Sequence, residues 1–206
     1  MPRRLSSTGI ERLALYYRHL GTFPDPEEFI KSDELAEAIS HSAAQVRRDL
    51  SCFGAFGTPG RGYRVGELRS MLERILGKKN CQNVILVGVG NLGMALLAYK
   101  GFVPQRYQIV AAFDNDLRKI GKRIEDLEIH DTRDFAPIAA STGAKLAIVC
   151  VPARSAQRAI DDLIAAGVRG ILNFAPVRVV VPEYVKLRNV DLSVELDRVC
   201  YLLNKV

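Results

Sequence analysis

The stretch Val84-Ile85-Leu86-Val87-Gly88-Val89-Gly90-Asn91-Leu92-Gly93 constrains this 206-residue chain more than any other. An apolar run of strand length leads into G-x-G-x-x-G, and Met94 to Tyr99 then reads as a helix. A second strand pattern, Ile109 to Phe113, ends on Asp114. Strand, glycine turn, helix, strand and terminal acid are the order of a dinucleotide-binding βαβ unit. Gly88 allows the tight turn, Gly90 lets a pyrophosphate approach the backbone, and Gly93 lets the helix pack close to the sheet. Val89, Asn91 and Leu92 complete a loop that opens onto a helix N-terminus, where unpaired N–H groups meet phosphates. Asp114 lies 21 residues beyond Gly93, where an acid accepts from a ribose diol. A carboxylate there repels a 2′-phosphate, which favours NAD(H) over NADP(H). The competing reading is a glycine-rich turn in an α/β domain without a cofactor.

Charge divides the chain. The formal net charge is +6, a modest hint of a polyanionic partner. Between Ser42 and Lys79 stand eight basic residues against three acids, a net of +5. Most of the excess is therefore in this segment. A charge run is usually only a solvated face, so the pattern within it must decide. Hydrophobic residues make up 48% of the chain, enough for a packed core. No apolar run approaches the roughly 20 residues of a membrane span. Met1 to Ser6 is basic and lacks an apolar stretch, so no signal peptide is expected. Cys52, Cys81, Cys150 and Cys200 are far apart, which fits reduced cytoplasmic thiols better than disulfides or a metal site. Cys150 and Cys200 sit in apolar runs and read as core residues.

The pattern changes near Gly77-Lys78-Lys79-Asn80, helical before it and alternating strand and helix after it. Thr8 to Leu20 carries Ile10, Leu13, Ala14, Tyr17 and Leu20 at helical spacing. Ser32 to Ile39 reads as a second helix. After the turn Ser40-His41, Ser42 starts a third, and Gln45 completes a capping-box signature. On the third helix Ala43, Val46, Leu50 and Phe53 form a buried stripe, leaving Ala44, Gln45, Arg47, Arg48 and Ser51 on another face. Those types suit base reading: Arg to guanine, Gln to adenine, Ala for close approach. Two short helices with a tight turn, the second so equipped, make a helix-turn-helix. Gly54 to Val65 holds four glycines and a proline and reads as a wing whose Arg61 reaches a minor groove. Val65 to Leu76 closes the domain. The alternative is a dimerisation bundle with an ordinary basic surface.

In the second part, Ala144 to Val151 and Gly170 to Phe174 read as strands around a helix from Ala153 to Ala166. Ligand is expected at the carboxyl ends of these strands, beside Val151-Pro152 and Asn173-Phe174-Ala175-Pro176. There Asn173 could bond a carboxamide or ribose, or the segments are simply rigid turns. Val194 to Leu203 is an amphipathic helix in need of a covering surface, with a dimer partner as natural candidate. The three histidines, His19, His41 and His130, offer no convincing acid or base for hydride transfer. A nucleotide site joined to a DNA reader without catalytic groups points to a sensor, not an enzyme. An NAD(H)-dependent oxidoreductase and a CoA-binding module remain the alternatives.

Several motifs together resemble the Rex family of redox-sensing transcriptional repressors. They are Leu15-Tyr16-Tyr17-Arg18, the run from Gln45 to Gly54, Gly60-Arg61-Gly62-Tyr63, the glycine motif, Gly170 to Pro176 and Asn189-Val190-Asp191-Leu192. The resemblance implies an α/β chain: a winged helix-turn-helix domain (1–79), a Rossmann NAD(H) domain with a parallel sheet (80–188) and a C-terminal dimerisation helix (189–206) exchanged between subunits. It implies a homodimer on an inverted-repeat DNA operator, released when NADH replaces NAD+. DNA contacts are then expected from Ser42, Ala44, Gln45, Arg47, Arg48, Ser51, Arg61 and Tyr63. Tyr99 and Asp191 would lie near the nicotinamide and the dimer contacts, with Arg18 as switch partner of Asp191. Leu192 stands where some members carry an aromatic, and Thr58-Pro59 where relatives can carry a lysine.

Overall fold

The computed structural model of the chain describes residues 6–54 and 57–204. The basic stretch from Met1 to Leu5, Ala55 and Phe56 of the wing, and the last two residues of the C-terminal segment lie outside the described residues. The chain forms two compact units, Met1–Asn80 and Cys81–Val206.

In the first unit, α1 (Ser7–Leu20) starts where the Ser6 hydroxyl accepts the Gly9 N–H at 3.2 Å. Its buried stripe is Leu13, Tyr16, Tyr17 and Leu20, the spacing of a core-facing helix. The sequence pattern puts Ile10 on that stripe, but Ile10 is 49% exposed. The helix is rolled toward Tyr16, whose hydroxyl donates to Asp49 Oδ2 at 3.0 Å. A buried phenol needs such a partner. Next come β1 (Phe29–Ile30), α2 (Ser32–Glu37), α3 (Ala43–Ser51), β2 (Tyr63–Arg64) and α4 (Val65–Ile75). α2 ends before Ile39, which still packs against the core. β1 is too short for a period-two pattern to show in sequence. It pairs antiparallel with β2, Phe29 opposite Arg64 and Ile30 opposite Tyr63. Val46 and Leu50 of α3 meet Leu35 of α2, Leu13 and Leu20 of α1, and Leu68 and Leu72 of α4 in one core. The unit is therefore a helix-turn-helix with a strand-paired wing.

The second unit is built on β3 (Gln82–Val87), β4 (Tyr107–Asp114), β5 (Arg123–Ile124), β6 (Leu127–Asp131), β7 (Leu146–Val149), β8 (Gly170–Asn173) and β9 (Lys186–Asn189). Their order is β5-β6-β4-β3-β7-β8-β9, parallel except for the β5–β6 hairpin. Helices α5 (Asn91–Leu97), α6 (Phe135–Thr142), α7 (Ala153–Ala165) and α8 (Leu192–Leu203) complete it. Ile85 and Val87 enter one core, with Phe135 and Ile160 of α6 and α7; Leu86 enters another, with Leu96 and Leu97 of α5. Cover on both faces is why β3 reads as an unbroken apolar run. The order reverses at β3, with β4 on one side and β7 on the other, which opens a crevice at the strands' carboxyl ends. α5 starts at Asn91, three residues before the run that reads as helical, and leaves Tyr99 outside it. α8 starts at Leu192, two residues earlier than its apolar pattern, because Asp191 caps it: Asp191 Oδ1 accepts the Ser193 N–H at 2.9 Å. Among the described residues no helix is long and apolar enough to cross a membrane.

Candidate functional site

The first unit presents α3. Ser42 caps it, its hydroxyl accepting the Gln45 N–H at 3.2 Å. The expected capping box is only half formed, because the Gln45 amide does not return to the cap. Gln45 Nε2 donates forward to Asp49 Oδ1 at 2.7 Å. Ser42, Ala44, Arg47, Arg48 and Ser51 are exposed on this helix, and Gln45 is half-buried. Arg47 reaches Ser32 Oγ at 2.7 Å, and Ser51 Oγ donates to the Arg48 carbonyl at 2.9 Å. The face is thus small, polar and cationic, with exposed guanidiniums.

Asp49 lies behind it, 5% exposed. Arg12 holds it in a fork, Nε to Oδ2 at 2.6 Å and NH2 to Oδ1 at 2.7 Å. Burial alone would raise the Asp49 carboxyl. The hydrogen bonds from Arg12, Gln45 and Tyr16 outweigh that and hold it below the usual carboxylate range. Burial, with the Asp49 carboxylate, pushes the Tyr16 phenol well up. The sequence reading missed this cluster. Arg12 and Tyr16 are four residues apart, as are Gln45 and Asp49, but nothing local says that the two pairs meet.

In the wing, Thr58 and Gly62 are bridged, with the Thr58 N–H on the Gly62 carbonyl at 2.7 Å. Pro59, Gly60 and Arg61 form the tip. The Arg61 guanidinium lies over the Phe29 ring, 4.3 Å from its centre. Arg64 pairs with Glu27 at 2.7 Å. Tyr63 is half-buried and packs against the core, so it supports the wing more than it presents a surface.

The second unit holds a groove of about 1310 Å³ at the crevice, lined by Gly88, Gly90, Asp114, Lys119, Thr132, Arg133, Cys150, Val151, Pro152, Arg154 and Arg158. The three glycines divide the work by geometry. Gly88 has φ +93°, and a Cβ there would stand 2.6 Å from the Cys150 carbonyl oxygen. A Cβ on Gly93 would fall on the Gly88 carbonyl oxygen. One on Gly90 would meet nothing within 4 Å. Gly88 and Gly93 therefore serve the turn and the helix packing, while Gly90 leaves open space. No side chain caps α5, so its first-turn N–H groups, from the exposed Asn91 and Leu92 onward, are available to an anion.

Asp114 is 7% exposed. Its Oδ2 accepts the Val89 N–H and the Lys119 ammonium, and its Oδ1 the Asp116 N–H, each at 2.9 Å. Burial would raise this carboxyl; Lys119 and the two N–H groups hold it below its ordinary range. Val89 thus ties the glycine turn to the acid through its backbone. Lys119 is an addition that the motif did not announce. Arg133, Arg154 and Arg158 also line the groove, together with Asp116 and Asp162, and Arg133 is paired with Asp131. Burial pushes the Cys150 thiol up to about 11, so it is neutral at the groove wall.

Asn173 is fully buried, and its amide is engaged internally. Nδ2 donates to Asn189 Oδ1 at 2.9 Å and to the Ala175 carbonyl at 3.2 Å, and Oδ1 accepts the Ala175 N–H at 3.1 Å. In the single chain it pins the β8 exit to β9, a strand the sequence did not disclose. Ala175 is buried, Phe174 half-buried and Pro176 exposed. Tyr99 is 55% exposed and sits edge-on to Phe102. Arg18 is exposed on α1. In the single chain Asp191 serves as the cap of α8. No residue of α8 is buried, and Leu192, Leu196, Val199 and Leu203 are all more than half exposed. Cys200, expected in a core, is exposed on this helix for the same reason, whereas Cys150 is partly buried.

Comparison with known proteins agrees with this geometry. A family model described as a putative DNA-binding protein N-terminus matches residues 4–51, and one described as a CoA binding domain matches residues 79–177. The chain is 46% identical to the redox-sensing transcriptional repressor Rex of Pelotomaculum thermopropionicum, over 91% of this chain and 89% of that protein. It is also 46% identical to Rex of Chloroflexus aggregans, over 94% and 92%. Among solved structures it superposes with a TM-score of 0.89 on RSP in complex with β-NAD+ and operator DNA, at 37% identity over 98% of this chain and 94% of that one. For RSP in complex with β-NADH the TM-score is 0.83, at 36% identity over 98% and 95%. With identity at this level along nearly its whole length, the chain belongs to the Rex family of redox-sensing transcriptional repressors.

Proposed function

We propose that this chain is a homodimeric repressor that binds an inverted-repeat operator through α3 and the wing, and lets go when NADH replaces NAD+ in the groove. The observation that carries the reading is the presence, in one chain, of an exposed cationic recognition face and a glycine-floored groove ending on a buried carboxylate. The residues fit the cofactor. Gly90 leaves room for a pyrophosphate, the first turn of α5 offers N–H groups, and Asp114 is an acceptor suited to a ribose diol. The nicotinamide supplies the signal, cationic when oxidised and neutral when reduced. Burying an unpartnered cation is costly, so apolar surroundings drawn from Phe174, Ala175 and Leu192 favour NADH. That preference acts on DNA only if the NADH-preferring state cannot set both recognition helices one groove-turn apart. We place this work in the cytoplasm, in keeping with four free cysteines.

The test is fluorescence anisotropy of a labelled inverted-repeat duplex at fixed salt, titrated with NADH and with NAD+. Binding lost at lower NADH than NAD+ is expected. Binding indifferent to both nucleotides, or none at all, overturns the reading. Displacement of NADH by CoA in the same cell would redirect the groove to a different ligand.

Two outcomes follow from the site. Asp114→Ala should weaken NADH and NAD+ by about tenfold to a hundredfold, the worth of charge-assisted hydrogen bonds, while nucleotide-free DNA binding survives; isothermal titration and anisotropy read the two halves. Loss of DNA binding instead would mean that the two units do not divide the labour. Leu196→Asp on the exposed face of α8 should weaken the dimer roughly a hundredfold or more, since a two-fold interface buries the residue twice. Sedimentation velocity would show the shift, and an unchanged dimer would exclude this face.

A further inference from the structure

The side chain of Gln45 is held in one orientation, and this limits what it can read. Asp49 is an ionised carboxylate and accepts only. Four donors reach it: two nitrogens of Arg12, the Tyr16 hydroxyl and Gln45 Nε2. The amide nitrogen of Gln45 therefore turns toward Asp49, and its oxygen turns away. That oxygen is only loosely engaged, by Arg48 NH1 at 3.4 Å. An isolated Gln–Asp pair one turn apart on a helix is weak, but here Asp49 is itself buried and clamped from α1. Flipping the amide would set its oxygen against the carboxylate and leave the nitrogen outside.

We propose that Asp49, clamped by Arg12 and Tyr16, is a specificity-positioning residue: it locks the Gln45 amide so that a carbonyl oxygen faces the DNA, and Gln45 accepts from a base amino group on one strand. The inference rests on the DNA-binding reading above. In the major groove the amino groups are adenine N6 and cytosine N4, whereas guanine O6 and thymine O4 are acceptors. A free glutamine can turn either end to a base; a locked one cannot. At the base pair that Gln45 meets, adenine and cytosine on that strand should be accepted and guanine and thymine refused.

The experiment measures binding of the full chain to duplexes carrying all four base pairs at each half-site position, at fixed salt. Gln45→Ala identifies the position by flattening it. There the wild-type chain should bind the amino-bearing pair of duplexes about tenfold better than the keto-bearing pair. Asp49→Asn, which frees the amide to flip, should erase this difference at that position alone, with affinity for unrelated duplexes unchanged. The reversed pair Gln45→Glu with Asp49→Asn restores an outward acceptor and should recover refusal of guanine and thymine. Should Asp49→Asn fail to fold, the wild-type and Gln45→Ala profiles still decide. A preference for guanine or thymine, or no position touched by Gln45→Ala, overturns the proposal. So does a uniform loss in a folded Asp49→Asn, which marks a merely structural role. A wild-type chain that binds no duplex refutes the DNA-binding reading itself, a result distinct from any of these.

Discussion

Gly90→Val is expected to reduce NADH affinity by at least about a hundredfold while leaving the melting temperature nearly unchanged, and Gly93→Ala is expected to do the reverse in order of cause. The two glycines stand three residues apart in one motif, yet their surroundings are opposite. A Cβ on Gly90 meets nothing within 4 Å, so valine there has space in the folded chain. Its methyl groups occupy the space through which a pyrophosphate must approach the backbone. A Cβ on Gly93 coincides with the Gly88 carbonyl oxygen, so α5 must move off the sheet before any ligand is considered. Forced overpacking of this kind costs about 3 kcal/mol, roughly a 10 °C fall in melting temperature for a unit of this size. Nucleotide binding would then fail as a consequence of the displaced helix. Differential scanning fluorimetry and isothermal titration on both variants separate the cases. Undiminished NADH binding by Gly90→Val would mean that the nucleotide does not cross the glycine turn.

Arg12→Met should destabilise the N-terminal unit by about 3–5 kcal/mol, the penalty for leaving one charge of a buried pair alone. Asp49 would keep Tyr16 and Gln45 but lose both guanidinium bonds in a site where the Arg12 and Asp49 side chains are only 16% and 6% exposed. The effect carries a pH signature. The Asp49 carboxyl is held below its unfolded value in the folded chain. Its contribution is therefore fully present above the ordinary aspartate value of about 3.9 and fades as pH falls through the lower folded value. Denaturant titration of wild type should thus lose stability below about pH 4, and Arg12→Met should lose less over that interval. Parallel curves for the two proteins would show that the Arg12–Asp49 pair is not what titrates.

The two sites differ in how far they could be read in advance. The nucleotide motif is local: three glycines, a strand before, a helix after and an acid at the next strand's end. Its parts occupy about thirty consecutive residues, as βαβ units do, and the spacing alone implies which glycine does what. The exposed face of α3 was legible for the same reason, since helical period assigns Ala44, Arg47, Arg48 and Ser51 to one side. Where the reading went astray, a distant residue decided. Ile10 lost its place on the core stripe because Tyr16 found Asp49. Gln45 did not close its capping box because the same carboxylate drew its amide forward. Asn173, well placed in sequence for a ligand, lies at the end of β8 beside a short edge strand, β9, whose Asn189 takes its amide. Cys200 reads as core because apolar period says that a face must be covered, not what covers it.

The sequence by itself determined the local elements, the glycine turn and the identity of the exposed cationic face, because each depends on periodicity and conformational preference within a few residues. Only the tertiary structure decided which polar groups satisfy one another: Arg12 with Asp49 across 37 positions, Asp114 with the Val89 N–H across 25, and Asn173 with Asn189 across 16. Burial makes an unsatisfied polar atom costly, so these partners are imposed by the packing that removes water. No local pattern can specify them before the elements have met.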